Sequence, residues 1–277
     1  MSQIAYDPVK DRFAGIIRNS RFLRWLFYLT LDLFFLRSWH VRKILRELKR
    51  INGNEINKIL DAGNGFGQYD RVLLNIFSQS FVKAVDVKDD YLDDCRFYFK
   101  KQVENGRMEI EKQDLLEYKE PDYDFVLCVD VLEHIHEDVR VMINMFESLN
   151  PGGFFLMHSP SHLAEEDAGD DEFFVDEHAR AGYSKEDITE KLKLAGFNPV
   201  KIQYTYGKFG HAAWVMLIKL PMLFLNRVGF FGVLLLPFWY IFTLLPSLIL
   251  MLADTVGSNQ SGTGILALAQ KSQKQTK

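Results

Sequence analysis

Short apolar runs recur between residues 58 and 206, separated by polar or helix-compatible stretches. Runs of this length are typical of strands that are buried on both faces of a parallel sheet. Strands that alternate with helices indicate the α/β class. We predict strands at residues 58–60, 81–85, 109–115, 123–130, 154–158 and 200–206.

A second pattern, nearer the carboxyl end, is one long apolar block. Between Arg227 and Asp254 lie 26 residues without a charge, more than the roughly 20 that a membrane-spanning helix needs. Prolines interrupt this block and the apolar stretch before it, at Pro221, Pro237 and Pro246. Because proline kinks or ends helices, we predict a helical hairpin or helices that lie in the membrane surface. A core helix of a soluble domain is the alternative.

The amino-terminal segment has its own apolar pattern, over residues 13–36. Arg18, Arg21 and Arg24 recur every three residues and so share one flank of a helix that is otherwise aromatic and aliphatic. The uninterrupted apolar part is short and carries Asp32, which favours an interfacial helix over a spanning one. An ordinary helix that covers the ligand site of the following α/β domain is the alternative, and both can hold. Residues 40–51 read as the first helix of that domain.

Charge is unevenly spread along the chain, although the net charge is only −4. Residues 10–50 carry eleven basic and three acidic side chains, and residues 165–177 carry eight acids and no base. The apolar content of the basic segment favours an anionic membrane surface over nucleic acid. The only cysteines, Cys95 and Cys128, lack metal-ligand spacing, so we expect a reducing compartment and no disulfide. Residues 1–13 are too polar for a signal peptide.

The candidate chemistry begins where the first strand ends. Asp61 is followed by a Gly-x-Gly-x-Gly turn at residues 63–67 and then by a helix-compatible segment. The next strand ends in Asp86, an acid placed to bind the hydroxyls of a ribose. Dinucleotide sites use a different glycine spacing, and a carboxylate beside the turn would repel pyrophosphate. The turn therefore favours an adenosine cofactor with a cationic centre.

The stretch at residues 59–70 resembles motif I of the class I S-adenosylmethionine-dependent methyltransferases. Further similarities follow in order: Val-Leu-Glu-His at 131–134, as in small-molecule and quinone O-methyltransferases, Leu-x-Pro-Gly-Gly at 149–153, and Leu-Ala-Gly-Phe at 194–197. The Leu-x-Pro-Gly-Gly stretch predicts a turn before the fifth strand. The resemblance covers roughly residues 40–206. It implies a Rossmann-like, doubly wound, mostly parallel sheet of seven strands. Residues 264–271 resemble the seventh strand, which is antiparallel and lies between strands five and six.

The resemblance also implies the cofactor, S-adenosyl-L-methionine, and the residues that bind it. In the family, the acid after strand three, here Asp114, contacts the adenine amino group, and Asp86 contacts the ribose. The expected cofactor-binding residues are Asp61, Gly63, Asn64, Gly65, Gly67, Gln68, Asp86, Val87, Asp114, Leu115 and Asp130.

A catalytic base is also expected, because an oxygen or nitrogen acceptor must lose a proton during methyl transfer. His178 lies in a stretch that resembles the family's H-x-R-x-[GY]-Y loop and is the first candidate, with His134 the second. Arg180 and Tyr183 are expected to position cofactor or acceptor. The acidic run before His178 is interpreted as a solvated loop, with a cationic head group or a divalent metal as alternatives. We expect no metal.

The placement of the apolar block limits its topology. It lies between the sixth and seventh strands, so both ends return to one sheet and an odd number of membrane crossings is excluded. A monotopic or re-entrant arrangement or a two-pass hairpin remains. Strand six ends at the carboxyl edge of the sheet, where open α/β sheets bind ligands. We therefore expect a hydrophobic helical cap that docks this edge onto a membrane and covers an apolar channel.

The expected organisation has four parts: an amphipathic helical segment (1–38), the methyltransferase domain (39–207), the hydrophobic cap (208–262), and the final strand with a polar tail (263–277). We expect methyl transfer, first to oxygen and next to nitrogen, on an amphiphilic or lipid-like acceptor at the cytoplasmic side of a membrane. Two alternatives are a soluble small-molecule methyltransferase with the block as a dimer interface, and a non-catalytic membrane adaptor.

Overall fold

The computed structural model describes residues 20–52, 55–164 and 179–273. Within these ranges the strands are β1 (Lys58–Ala62), β2 (Phe81–Asp86), β3 (Met108–Lys112), β4 (Tyr123–Val129), β5 (Leu149–Pro160), β6 (Asn198–Thr205) and β7 (Gly264–Gln270). They form one seven-stranded sheet in the order β3-β2-β1-β4-β5-β7-β6. Only β7 is antiparallel to its neighbours. This confirms the predicted fold class.

Helices flank the sheet, and further helices follow β6 near the carboxyl end of the chain. In the described part they are α1 (Arg21–Phe34), α2 (Leu36–Asn52), α3 (Gln68–Ile76), α4 (Asp89–Tyr98), α5 (Lys100–Glu104), α6 (Asp138–Ser148), α7 (Lys185–Leu194), α8 (Lys208–Trp214), α9 (Leu220–Val228) and α10 (Leu236–Val256). A 3₁₀ turn follows β4 at Leu132–His134, a π-helical turn joins α8 to α9 at Val215–Lys219, and a 3₁₀ segment at Phe230–Leu235 leads into α10.

The core has two halves, one on each face of the sheet. Ile59 and Leu127 face one cluster, and their chain neighbours Leu60 and Val126 face the other; all four are fully buried. Burial on both faces explains why the strands read as continuous apolar runs and not as an alternating pattern. Truncating one such leucine to alanine costs about 2–5 kcal/mol of stability.

Two strand boundaries differ from the prediction. The strand β3 stops at Lys112, so Asp114 lies in the following turn and not at the end of a strand. The strand β5 starts at Leu149, inside the Leu-x-Pro-Gly-Gly stretch that predicted a turn. The register there jumps from the pair Tyr123–Leu149 to Phe125–Phe154, so the extra residues form a bulge. A bulge lets the strand continue through a sequence with turn residues.

The segment between β6 and β7 is helical. Among the described residues, two helices, Lys208–Val228 and Gly232–Val256, are long and apolar enough to cross a membrane by length and composition alone. They pack as an antiparallel pair, which we call the hairpin (residues 208–256). Its contact with the catalytic domain is a small apolar cluster around Leu36, Leu217 and Met251.

Pro221 accounts for the irregular turn in the first arm of the hairpin. Proline has no N–H, so carbonyls one turn earlier lose a helical donor. Side chains of the second arm replace it: Trp239 Nε1 donates to the Met216 carbonyl at 2.9 Å, and the Tyr240 hydroxyl donates to the Leu217 carbonyl at 3.0 Å. The two arms are therefore joined by hydrogen bonds as well as by apolar packing.

A buried polar contact fixes the base of the hairpin to the domain. The Asp254 carboxylate is fully buried and binds His40 Nε2 at 2.8 Å and the Gly210 N–H at 3.0 Å. Burial lowers the pKa of His40, so the ring is neutral at pH 7 and donates to the carboxylate. A side chain at Gly210 would lie 2.3 Å from Leu36, so glycine is required for this close approach.

Candidate active site

The glycine turn is pinned to the end of β2. The N–H groups of Gly63 and Asn64 donate to the Val85 carbonyl at 2.8 and 3.1 Å, and the Gly65 N–H donates to Asp86 Oδ2 at 2.9 Å. Gly63 and Gly65 both have positive φ. A Cβ on Gly63 would collide with Val131 at 2.4 Å, whereas one on Gly65 would meet nothing within 4 Å. The turn thus has no room for a side chain at Gly63, whereas it faces open space at Gly65.

Two carboxyl groups lie buried behind this turn. Asp61 and Asp70 lie close to each other, and burial raises the pKa of both, with the charge of the partner adding to the rise at Asp61. Among the described residues neither Asp61 Oδ2 nor Asp70 Oδ1 has a donor, and no cationic side chain forms an ion pair with either group. A proton shared between them leaves one uncompensated negative charge. That charge suits a cationic ligand beside Gly65.

The other predicted cofactor residues occupy different surroundings. Asp86 is half-buried and also accepts from the Lys88 N–H at 2.9 Å, while Val87 is exposed. Asp114 is exposed in the turn after β3 and accepts from the Leu116 N–H. Leu115 packs in the core. The carboxylates of Asp86 and Asp114 therefore lie at the carboxyl edge of adjacent strands, the arrangement expected for a nucleoside.

Gln68 faces away from the turn. Its side-chain amide is buried and donates to Asp32 Oδ1 at 3.0 Å and to the Ser38 hydroxyl at 2.7 Å. The side chain of Asn64 donates to Asp70 Oδ2 at 3.0 Å. Both amides brace the turn from within the protein.

A polar cluster occupies the carboxyl edge near β4, β5 and β6. Asp130 has positive φ, pairs with Arg37, and binds His158 Nδ1 at 2.8 Å. Burial alone would raise the pKa of Asp130, but Arg37 and His158 outweigh it and hold the pKa well below the usual range. His158 Nε2 lies 3.0 Å from the Thr205 hydroxyl. Both ring nitrogens of His158 are therefore engaged, and the ring fixes an ionised Asp130.

The candidate catalytic residues are dispersed. His178 and the acidic run 165–177 lie outside the described residues. His134 is exposed on the 3₁₀ turn after β4. Tyr183 and Arg180 both bind the buried Asp138 carboxylate, with the Tyr183 hydroxyl at 2.8 Å. This network ties residues 180–183 to the start of α6.

A protein-family model described as a methyltransferase domain matches residues 60–155. The match spans the glycine turn and the acids that follow β2, β3 and β4. The domain is a class I S-adenosylmethionine-dependent methyltransferase. Its cofactor is S-adenosyl-L-methionine. No curated protein sequence matches the chain.

Solved structures of two proteins named as methyltransferases and of one cyclase are similar in fold. A putative sarcosine dimethylglycine methyltransferase from Galdieria sulphuraria matches with a TM-score of 0.59 at 15% identity, over 85% of this chain and 86% of that one. Phosphoethanolamine N-methyltransferase 2 from Haemonchus contortus, in complex with S-adenosylmethionine, matches with a TM-score of 0.58 at 18% identity, over 94% and 60%. The [4+2]-cyclase SpnF matches with a TM-score of 0.55 at 15% identity, over 85% and 81%. At such identities the likeness concerns the fold alone.

The residues behind the turn fit the cofactor of the methyltransferase domain. S-adenosylmethionine is cationic at its sulfonium and amino groups, and the Asp61–Asp70 pair supplies the opposite charge next to the open position at Gly65. Among the described residues no group of three or more histidine, cysteine, aspartate or glutamate side chains is arranged to hold a metal ion.

Four residues around the methyltransferase site were not identified from the sequence: Arg37, Asp70, His158 and Glu133. Glu133 is buried and accepts from the Ser159 hydroxyl, and burial with the charge of Asp130 raises its pKa to about 8. Arg37 carried no local signal, because its partner Asp130 lies 93 positions away in the chain. Asp70 did carry a local signal, since an acid at the start of the helix that follows the glycine turn faces the glycine turn.

Proposed function

We propose that this methyltransferase transfers a methyl group to an amphiphilic, lipid-like acceptor that reaches the site from a membrane. The observation that carries the proposal is the outer face of the hairpin. On α10, Phe238, Ile241, Phe242, Leu245 and Ile249 are each at least 60% exposed. Contiguous exposed apolar surface of this kind marks a membrane or protein interaction site.

The position of the hairpin connects this surface with the carboxyl edge. The strand β6 ends at Thr205, which contacts His158, and the next residue, Tyr206, accepts from the Arg37 N–H through its hydroxyl at 3.2 Å. The hairpin begins directly afterwards, at Lys208. A membrane on its apolar face would therefore lie within a few residues of the polar cluster around Asp130.

These contacts suggest roles for the residues of this chain. The cofactor, when bound, supplies an activated methyl group. The Asp61–Asp70 pair neutralises its positive charge, and Asp86 binds its ribose. Asp130, ionised and held by Arg37 and His158, accepts a hydrogen bond from the acceptor. The hairpin excludes water and admits an apolar chain. His178 and His134 stay the candidate bases.

We propose oxygen as the acceptor atom. The Val-Leu-Glu-His stretch at 131–134 resembles that of quinone O-methyltransferases and favours it. An amine acceptor is the second candidate, because two proteins of similar fold are named for methyl transfer to nitrogen compounds. We further propose a peripheral or monotopic position on the cytoplasmic side, which the excess of basic residues over 10–50 favours.

The activity is tested with radiolabelled S-adenosylmethionine and a total membrane lipid extract. We expect label in the organic phase for the wild type and for Asp93→Asn, an exposed carboxylate on α4. We expect none for Asp61→Asn, which removes a buried negative charge from the cofactor site. Label confined to the aqueous phase would contradict a lipid acceptor.

Membrane binding is tested by flotation with vesicles of phosphatidylcholine and phosphatidylglycerol. The double variant Phe242→Ser/Leu245→Ser should float much less than the wild type. Leu194→Ser, equally exposed but at the end of α7, is the matched control and should float normally. A defined dimer that the double variant disrupts, with no flotation of the wild type, would instead favour a soluble enzyme with the hairpin as its interface.

A further inference from the structure

The helix α1 exposes large apolar side chains and buries polar ones, the reverse of the usual pattern in a water-soluble domain. Its large apolar side chains Phe22, Trp25, Leu26, Leu29 and Leu33 are 36–66% exposed. Its polar side chains Arg24, Tyr28 and Asp32 are at most 7% exposed. The exposed set recurs at helical spacing and therefore forms one stripe. We call this stripe the outer face of α1.

The buried polar side chains of α1 hold the cofactor turn. The Tyr28 hydroxyl donates to the Phe66 carbonyl, inside the glycine turn, at 2.6 Å. Asp32 accepts from Gln68 at 3.0 Å and pairs with Arg71, so it holds the first turn of α3. The turn that receives the cofactor therefore rests on the inner face of α1.

A second inner contact ties α1 to the helix after β2. Arg24 donates to Asp94 Oδ2 at 3.2 Å, and it also donates to the Tyr28 hydroxyl at 3.1 Å. The contact is almost fully buried on both sides. These groups are satisfied only while α1 lies in its place, because each would otherwise lose its partner.

The carboxyl end of α1 packs against the hairpin. The ring of Phe34, the last residue of α1, contacts the ring of Tyr240 on α10 edge to face, with 5.3 Å between centroids. Basic residues outnumber acidic ones across the described residues 20–52. An exposed apolar stripe on a helix that contacts the hairpin, in a segment of net positive charge, fits an anionic bilayer surface.

We propose that an anionic bilayer docks on the outer face of α1 and thereby tightens the binding of S-adenosylmethionine. The proposal rests on the proposed membrane docking of the hairpin and adds control of the cofactor site. A helix of 14 residues is marginal in water, and an exposed apolar stripe gives it no further stability there. Lipid that covers the stripe stabilises the docked helix, and the docked helix holds the turn. By linkage, cofactor also strengthens the attachment to lipid.

The proposal is tested by titrating the full chain with S-adenosylmethionine in a calorimeter, with and without vesicles of phosphatidylcholine and phosphatidylglycerol. We expect Kd to fall about tenfold on the vesicles. Amides of residues 64–74 should exchange more slowly with deuterium in the same sample. Vesicles of phosphatidylcholine alone should lower Kd less, because they carry no net negative charge to attract the basic side chains.

Variants separate this proposal from the proposed function. Trp25→Ser/Leu29→Ser should float through the hairpin and bind cofactor in solution like the wild type, yet lose the gain in affinity on vesicles. Leu194→Ser is the matched control and should keep the gain. Tyr28→Phe should bind vesicles but bind cofactor more weakly.

Three outcomes overturn the proposal. If the wild type floats and its Kd is unchanged, control through α1 is refuted and membrane docking stands. If the wild type does not float, both fail. If Trp25→Ser/Leu29→Ser abolishes a dimer in lipid-free solution, the outer face of α1 binds a second copy and not a bilayer.

Discussion

The glycine turn offers a matched pair of substitutions whose effects should differ in kind. At Gly63 an alanine Cβ would lie 2.4 Å from Val131, in a backbone with φ +82°. Left-handed backbone costs about 1–2 kcal/mol, and overpacking costs about 1–3 kcal/mol. The Gly63→Ala variant should therefore lose about 2–5 kcal/mol of unfolding free energy. That is a large part of the usual total of about 5–15 kcal/mol.

At Gly65 the same methyl group would meet no atom within 4 Å, so only the backbone cost applies, about 1–2 kcal/mol. We propose that the cofactor approaches through this open space, so that the clash would arise only in the complex. An overpacking cost of about 1–3 kcal/mol corresponds to a Kd for S-adenosylmethionine raised roughly 5- to 150-fold.

Urea denaturation of the cofactor-free variants gives the stability changes, and calorimetry gives Kd. We expect Gly63→Ala to lose more unfolding free energy than Gly65→Ala. We expect Gly65→Ala to show the larger rise in Kd relative to the unfolding free energy that it loses. Equal stability losses would refute the clash with Val131 at Gly63. An unchanged Kd for Gly65→Ala would show that the cofactor does not approach the open side of the turn.

Three further substitutions follow from the buried charges. Since burial raises the pKa of Asp61 and Asp70 above the ordinary 3.8, the native state binds more protons than the unfolded one above pH 3.8. The contribution of this pair to the unfolding free energy of the cofactor-free protein should therefore fall as pH rises from 3.8 towards about 7. In urea titrations over this range, the unfolding free energy of the wild type should fall relative to that of Asp70→Asn. Asp254→Ala leaves the buried ring of His40 without its carboxylate partner, and the variant should lose about 2–5 kcal/mol of unfolding free energy in the same assay. Asp130→Asn should raise the KM for the acceptor while the Kd for S-adenosylmethionine stays within about twofold; a weaker Kd would make Asp130 a cofactor ligand.

The central strands were predictable because they are buried on both faces, and the apolar runs at 81–85 and 123–130 mark that burial directly. The acids near the ends of β1 and β2 were predictable because parallel strands end at one edge.

Other features depend on contacts that no local pattern encodes. Asp32 interrupts an apolar stretch, and only its partners on α2 and α3 explain why it is buried there. The arginine next to Asp130 comes from the start of α2, far away in the chain. The predicted turn at 149–153 is a bulge within β5, because pairing with β4 continues the strand through glycines that could also have formed a turn.

The chain order of the hairpin has a consequence for how the enzyme is made. The last strand, β7, lies between β5 and β6, and Gly264 pairs with Thr205 across the whole length of the hairpin. The edges of β5 and β6 therefore wait unpaired until the hairpin has been synthesised and its two ends have met. Exposed strand edges are sites of aggregation. Closing the hairpin, with Gly210 bound to Asp254 at its base, is thus a loop-closure step in the assembly of the catalytic sheet. A ribosome that stalls before β7 would therefore leave the sheet open between β5 and β6.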